Sequence, residues 1–570
     1  MHSIAMRLNN FLFLAYAFTA AAISIPQLET RKDKKHGSKP RPCKGNTAHK
    51  RTKWCDYDIN TDYTTTVPNT GVTREYWLSI DEMTAAPDGI SRPVMAINGT
   101  IPGPTIYANW GDHVVIHVTN HLLESMNGTS IHWHGIRQNY TNQNDGVVSI
   151  TQCPTAPGST ITYKWRAAQY GSSWYHSHIG LQAWEGVFGG IIINGPASKN
   201  YDVDKGMLFL NDWSHQTADE LFTHAQTIGP PTLDTGLING TNKYNESGSY
   251  FTMRANKGES YRLRIVNAAI DTHWKFMIDN HKLTVIAMDL VPIEPYTTEY
   301  VNIGMGQRYD VIVTADQPKA KNHWIRAIPQ TDCSENHNVD NIRGILHYHG
   351  KIATPTTSPW GFDDICVDED MSNLVPVVSK NVATAGWEAL TDVTVGRNSK
   401  NLFRWYLNST TMQVAWEEPT LKQIYQGTTH WEDSSGVIEL PNADEWVYLL
   451  INTTMPVAHP IHLHGHDFFV LSQGIGAWDG TTVTSNPPRR DTALLESTGH
   501  LLMAWQTDNP GAWLAHCHIG WHTAEGFALQ FIERYDEAKE LIDWDYVNDN
   551  CESWNTYDGE FDIEQDDSGV

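Results

Sequence analysis

The 570-residue sequence contains no run of about 18 apolar residues, so nothing in it reads as a bilayer-spanning helix. It has no basic excess either. Forty Lys and Arg stand against 65 Asp and Glu, a formal net charge of -25. A surface that acidic repels nucleic acid and anionic lipid, which removes both as expected partners, and solubility alone accounts for it equally well. Charged residues are only 18% against 40% hydrophobic, which excludes a largely disordered chain. Long amphipathic helical stretches are scarce; a short helix is expected only over the acidic stretch Asp536–Asp543. Cysteine is sparse and odd in number. There are seven, and Cys517 lies between two histidines, so it is the one expected to stay unpaired while six are free to form three bridges.

What is present begins with a secretory pattern. Arg7 precedes the apolar run Phe11–Ala17, and the small residues Ala20, Ala21 and Ala22 follow, so residues 1–22 read as a signal peptide. The basic stretch Arg31–Lys35 suits either a propeptide cleavage site or a flexible arm, within an N-terminal arm over 23–71. Seven N-x-[ST] sequons, at Asn98, Asn127, Asn139, Asn239, Asn245, Asn408 and Asn452, fit a glycosylated extracellular protein. Beyond the arm, short runs rich in Val, Ile and aromatics are separated by Gly, Pro, Asn and Asp turns. Val114–Val118, Gly189–Ile193, Tyr261–Val266 and Trp446–Ile451 are examples, and they predict an all-β chain of sandwich units. Composition divides it into units over 72–196, 197–350 and 376–545, with a linker rich in Thr, Pro and Asp over 351–375 and a tail over 546–570.

Four His-X-His elements carry the chemistry: His132/His134, His176/His178, His462/His464 and His516/His518. Residues two apart on a strand face the same side, roughly 6.6 Å apart along it, so each element aims two imidazoles one way. One such pair alone would be an ordinary surface or structural feature. Four in two matched sets are not: Ile131-His-Trp-His-Gly135 echoes Ile461-His-Leu-His-Gly465, and Tyr175-His-Ser-His178 echoes Ala515-His-Cys-His518. Cys517 must face away from its flanking histidines, and His459 and His522 can join it in a His-Cys-His set, the combination that favours copper. Zinc lacks the redox chemistry and needs four ligands rather than eleven. A di-iron site would bring carboxylates at ligand spacing.

These motifs resemble those of the multicopper oxidases, and most closely the ascomycete-type fungal laccases, over nearly the whole mature chain. The resemblance implies three cupredoxin-like Greek-key β-sandwich domains in series and four copper ions. His459, Cys517 and His522 correspond to type 1 ligands, His132 and His462 to type 2 ligands. His134, His176, His178, His464, His516 and His518 correspond to those of the paired type 3 coppers. His466 corresponds to no ligand and reads as a packing histidine. Phe527 occupies the axial position as an apolar, non-coordinating neighbour, which favours Cu(I) and a high potential. The resemblance also implies the bridges Cys43–Cys55, Cys153–Cys551 and Cys333–Cys366, and a C-terminal Asp567-Ser-Gly-Val570 that plugs the channel to the trinuclear site.

The implied reaction is one-electron oxidation of phenolic donors coupled to four-electron reduction of dioxygen. Donors approach an exposed ring edge of His522, and the tripeptide His516-Cys517-His518 joins the two copper sites. Asp145 corresponds to a proton-relay carboxylate. Asp234 corresponds to the pocket carboxylate that takes the phenol proton, with Glu246 as a nearby alternative. The expected protein is a secreted, extracellular monomer that binds phenols and dioxygen, with no nucleic-acid or membrane partner. A ferroxidase, a bilirubin or ascorbate oxidase, and a copper carrier without turnover are the competing readings.

Overall fold

Along His113–His121 burial alternates residue by residue, with Val114, Ile116, Val118 and Asn120 inward and the residues between them less covered. That is the pattern of a strand with one face on a core. The computed structural model describes residue 40, residues 43–317 and residues 321–570. The expected signal peptide and the stretch Arg31–Lys35 lie outside the described residues. Strands of this kind assemble into three pairs of facing sheets, with helices few and short. The four runs named from the sequence lie in the strands His113–His121, Phe188–Asn194, Ser260–Asn267 and Trp446–Thr453.

All three pairs repeat one pattern of strand pairing. In one sheet of each, an early strand runs parallel to a later one: Thr73–Ala85 with His113–His121, Val203–Trp213 with Ser260–Asn267, and Trp387–Arg397 with Trp446–Thr453. In the other sheet the parallel pairs are Gly103–Asn109 with Phe188–Asn194, Phe251–Arg254 with Arg343–His347, and Val437–Leu440 with Ala528–Glu533. The middle unit therefore has the same architecture as its neighbours, although it carries none of the paired histidines. The fold is three cupredoxin-like β-sandwiches in series. One continuous apolar cluster runs through the second and third units, from Leu210 and Ile265 to Leu463 and Phe531, and a separate one fills the first. The first cluster takes in Trp54, Ile59 and Tyr63, so residues before the first long strand belong to the folded body.

Four α-helices were not foreseen: the short Thr420–Gln426 and Gly520–Ala524, and two longer ones. Ala218–Thr227 is started by a capping box between Thr217 and Glu220. Tyr535–Leu541 covers most of the expected acidic helix, but a longer one follows at Trp544–Phe561. Its sequence is poor in apolar residues, and only Val547, Cys551 and Trp554 are buried, at the spacing of one helical face. Cys551 is bonded to Cys153 of the first unit, so an external tether stabilises a helix of weak intrinsic preference.

The units are joined by charge where they are not joined by apolar contact. Arg308 of the second unit donates to both carboxylate oxygens of Asp491 in the third, at 2.6 and 2.5 Å. Arg490 donates to Asp289 at 2.8 Å, and the other Asp289 oxygen accepts the Arg308 N–H. All four side chains are buried. Removing one partner of a buried pair strands the other charge. Arg308→Met should therefore lower the unfolding free energy by about 3–5 kcal/mol in a denaturant titration. Arg308→Lys, which keeps charge but loses the fork, should fall between it and the wild type.

Candidate metal centre

Antiparallel pairing inside the first and third units brings the histidines side by side. His132 is opposite His176, and His462 is opposite His516. The strands Gly171–His176, His459–Leu463 and Gly511–Cys517 end at the motifs, so His178, His464 and His518 project just beyond strand ends. The two units face each other, and eight rings converge between them. The ring centroids of His132 and His464 are 4.0 Å apart, those of His134 and His462 3.8 Å, and those of His178 and His516 5.3 Å. Three sets have donor atoms within 4.8 Å of one another: His132/His462/His464, His132/His134/His176 and His178/His464/His516.

The chemistry of these rings fits a metal cluster. All eight are buried, and Nε2 of His132, His176, His462, His464 and His516 and both ring nitrogens of His518 have no hydrogen-bond partner. Burial, reinforced by neighbouring rings, holds His134, His176, His178, His462, His464 and His518 well below the ordinary imidazole range, and His516 at about 4. Rings held that low are neutral, and the unpartnered nitrogens are left with nothing from the protein to satisfy them.

Other groups fix the outward nitrogens. Asp145 is 2.9 Å from His464 Nδ1 and 3.3 Å from His132 Nδ1, while its backbone carbonyl also faces His132 Nδ1. Its second oxygen, Oδ1, makes no hydrogen bond. The following Gly146 is required there, because a Cβ would lie 1.8 Å from the Ile131 carbonyl. The Asp491 carbonyl faces His462 Nδ1 at 2.7 Å, and its carboxylate lies 3.2 Å from His134 Nε2. Neither Asp491 nor Gly306 was singled out from the sequence. A Cβ on Gly306 would press on His518 and His134 at 2.8 and 3.1 Å, so the middle unit contributes by letting its backbone come close. The only trace of it in the sequence is the spaced glycine pair Gly304-Met-Gly306, and the structure puts Gly306 at positive φ.

Cys517 faces the opposite side. It is the one free cysteine among the described residues, and the other six pair as Cys43–Cys55, Cys153–Cys551 and Cys333–Cys366. Its Sγ lies 3.8 Å from His459 Nδ1 and 3.6 Å from His522 Nδ1, and those two nitrogens are 3.3 Å apart. Burial raises the thiol and lowers His459 to about 3. Phe527 packs over His459 with ring centroids 5.0 Å apart and offers no donor atom. His522 departs from expectation. Its ring is 3% exposed, covered by Trp405 at 4.2 Å, rather than presenting an open edge.

Models of multicopper oxidase domains match residues 79–198, 204–351 and 406–537. The chain belongs to the multicopper oxidase family. Laccase-1 of Botryotinia fuckeliana is 46% identical, covering 98% of this chain and 98% of its own length. Laccase-2 of the same organism is 46% identical over 92% and 93%. The crystal structure of the laccase from Botrytis aclada superposes with a TM-score of 0.89 at 44% identity, covering 92% of this chain and all of that one. These likenesses place the multicopper oxidase with the ascomycete-type laccases, and its cofactor complement is four coppers: one type 1, one type 2 and two type 3.

Around the metal centre, a small cavity is lined by Ser214, Leu233, Ile270 and Trp521, the last adjacent to His522. Asp234, next to Leu233 in the chain, does not line this cavity; it is a quarter exposed and its Oδ2 accepts from Ser214 Oγ at 2.9 Å. Glu246 lies on the outer hairpin Lys243–Gly248 with its carboxylate almost fully exposed. His466 sits 3.1 Å from Glu533 and packs against Trp513, away from the converged rings. Of the sequons, Asn139, Asn245 and Asn408 are exposed; Asn98, Asn127, Asn239 and Asn452 are half-buried.

The C-terminus of this multicopper oxidase is an inserted strap. Asp567, Ser568 and Val570 are buried. The Ser568 N–H donates to the Ala524 carbonyl, Ser568 Oγ to the Thr523 carbonyl, and Ser149 Oγ to the Gly569 carbonyl. Thr523 in turn bonds the Cys517 carbonyl. Burial raises Asp567 to about 7, with Asp566 and Asp219 adding repulsion and the Gly569 N–H pulling the other way. A free tail aspartate would titrate near 3.8, so docking takes up a proton. Docking should be strongest below about pH 4, weaken as pH rises to about 7, and level off above. Protection factors of the Ser568 and Gly569 amides, each taken against the intrinsic exchange rate at that pH, should be lower at pH 8 than at pH 4.5, and Asp567→Asn should remove the difference.

Proposed function

We propose that this multicopper oxidase is a secreted, monomeric laccase that oxidises phenolic donors one electron at a time and reduces dioxygen to water. The observation that carries this reading is the two-sidedness of residues 516–518. The Cys517 sulfur meets His459 and His522 on one side, while His516 and His518 join the eight-ring cluster on the other. His459, Cys517 and His522 would hold the type 1 copper, and His132 and His462 the type 2. His134, His176, His178, His464, His516 and His518 would hold the type 3 pair. When bound, the coppers accept single electrons at the type 1 site and deliver four of them to dioxygen at the trinuclear site.

The protein's own groups do the rest. Burial keeps water from the converged rings, and Asp145 and the Asp491 carbonyl fix the tautomers that leave the inner nitrogens free to ligate. Asp145 Oδ1, which lies 3.3 Å from His132 Nδ1 and accepts no hydrogen bond, is placed to hold a proton on its way to reduced oxygen. At the donor side Asp234 takes the phenol proton as the electron leaves. Secretion is supported by the signal pattern of residues 1–22 and by three disulfides, which persist in oxidising compartments. No helix among the described residues is long and apolar enough to cross a membrane.

The purified protein should carry four coppers, show an intense blue band with type 1 and type 2 EPR signals, and consume dioxygen with a methoxyphenol. Faster uptake with Fe(II) than with the phenol would favour a ferroxidase, and blue colour without uptake a carrier. Cys517→Ser should abolish the blue band. Phe527→Met, by offering a weak thioether ligand, should lower the type 1 potential in a redox titration. Asp234→Asn should cut phenol turnover by at least about tenfold while sparing ferrocyanide, a donor with no proton to lose.

A further inference from the structure

The turn that joins His522 to Phe527 carries one buried acid. Glu525 is 3% exposed, and among the described residues its side chain makes a single hydrogen bond. Oε2 accepts the indole N–H of Trp405 at 3.1 Å, while Oε1 has no partner. The backbone grips the same residue, the Glu525 carbonyl accepting the Trp405 main-chain N–H, also at 3.1 Å. Thr411 Oγ1 donates to that carbonyl at 3.3 Å. Gly526 permits the approach, since a Cβ there would lie 2.1 Å from Thr411 Oγ1. One residue thus holds Trp405 at both backbone and ring. The Trp405 ring in turn packs on three members of the cysteine site. Its centroid is 4.2 Å from that of His522, 4.9 Å from His459 and 5.5 Å from Phe527, and all three are buried.

We infer that Glu525 is the positioning residue that latches Trp405 over the type 1 site, keeping water from its ligands and its potential high. The inference rests on the assignment of His459, Cys517 and His522 to the type 1 copper. Burying a carboxyl group is costly, and an apolar side chain would fill the same space without that cost. What the acid adds is direction, because an indole fixed at Nε1 cannot turn away from the imidazole beneath it. Water beside a metal favours its more highly charged ion, so a dry shell favours Cu(I). Packing alone would require only a side chain of similar size at position 525. The latch requires an acceptor oxygen there.

The test uses the copper-loaded full chain as wild type, Glu525→Gln, Glu525→Leu, Trp405→Phe and the Glu525→Leu/Trp405→Phe double variant. For each, the type 1 potential is titrated against the ferricyanide/ferrocyanide couple, and water near the type 1 copper is read by pulsed EPR in D2O. Glu525→Leu should lower the potential and bring a solvent-deuterium signal to the type 1 copper. Trp405→Phe, which keeps a ring but has no N–H, should act in the same direction. Glu525→Gln, which keeps an acceptor, should do neither, and the double variant should fall no further than the larger single change. An unchanged potential in Glu525→Leu or, if that chain does not fold, in Trp405→Phe would overturn the latch. So would an equal fall in Glu525→Gln, or falls that add in the double variant. A wild type without a blue band would overturn the ligand assignment and the latch together.

Discussion

The structure turns on an extreme demand for desolvation. Ten imidazoles and one thiol are buried together, and eight of the ten rings keep a nitrogen to which the protein supplies no hydrogen-bond partner. Such an arrangement is costly in an ordinary core, where buried polar atoms find partners. Here the polar atoms are left open, and rigid strands keep the rings from turning elsewhere. Strand alternation solves the geometry. Consecutive residues 516, 517 and 518 must point to opposite faces, so two sites of different chemistry are joined by a single stretch of backbone.

Keeping the rings in place draws on all three units. Asp145 comes from the first, Asp491 from the third, and Arg308, which holds Asp491, from the second. The middle unit carries none of the four converging histidine pairs, yet its Gly306 backbone lies against two of the rings. The charge network that joins the domains is thus also the frame that orients the rings, so domain packing and metal geometry cannot vary independently.

The ring cluster was legible in the sequence because its information is local. A spacing of two on a strand dictates a common face, so His132/His134 and His516/His518 could be paired without knowing the fold. Cys517 could be set apart from six other cysteines for the same reason. The supporting groups were not legible from spacing. Asp145, whose partner His464 lies 319 residues away, was reached only through the family resemblance, and Asp491, which meets His134 across 357 residues of chain, was missed, because a sequence has no periodicity to read over such separations. Trp405, which covers His522, lies on an unremarkable strand of the third unit, and the expected open edge of that ring failed on it. The helix Trp544–Phe561 was hidden because its stability comes from Cys153 and from packing rather than from its own residues.

The bond between Cys153 and Cys551 has a consequence for biogenesis. Cys551 lies 398 residues after Cys153, so the bond closes only once the strands of both units that it joins have been made. Until then contact alone holds the helix Trp544–Phe561 to the first unit, so completing that tie needs an oxidising compartment.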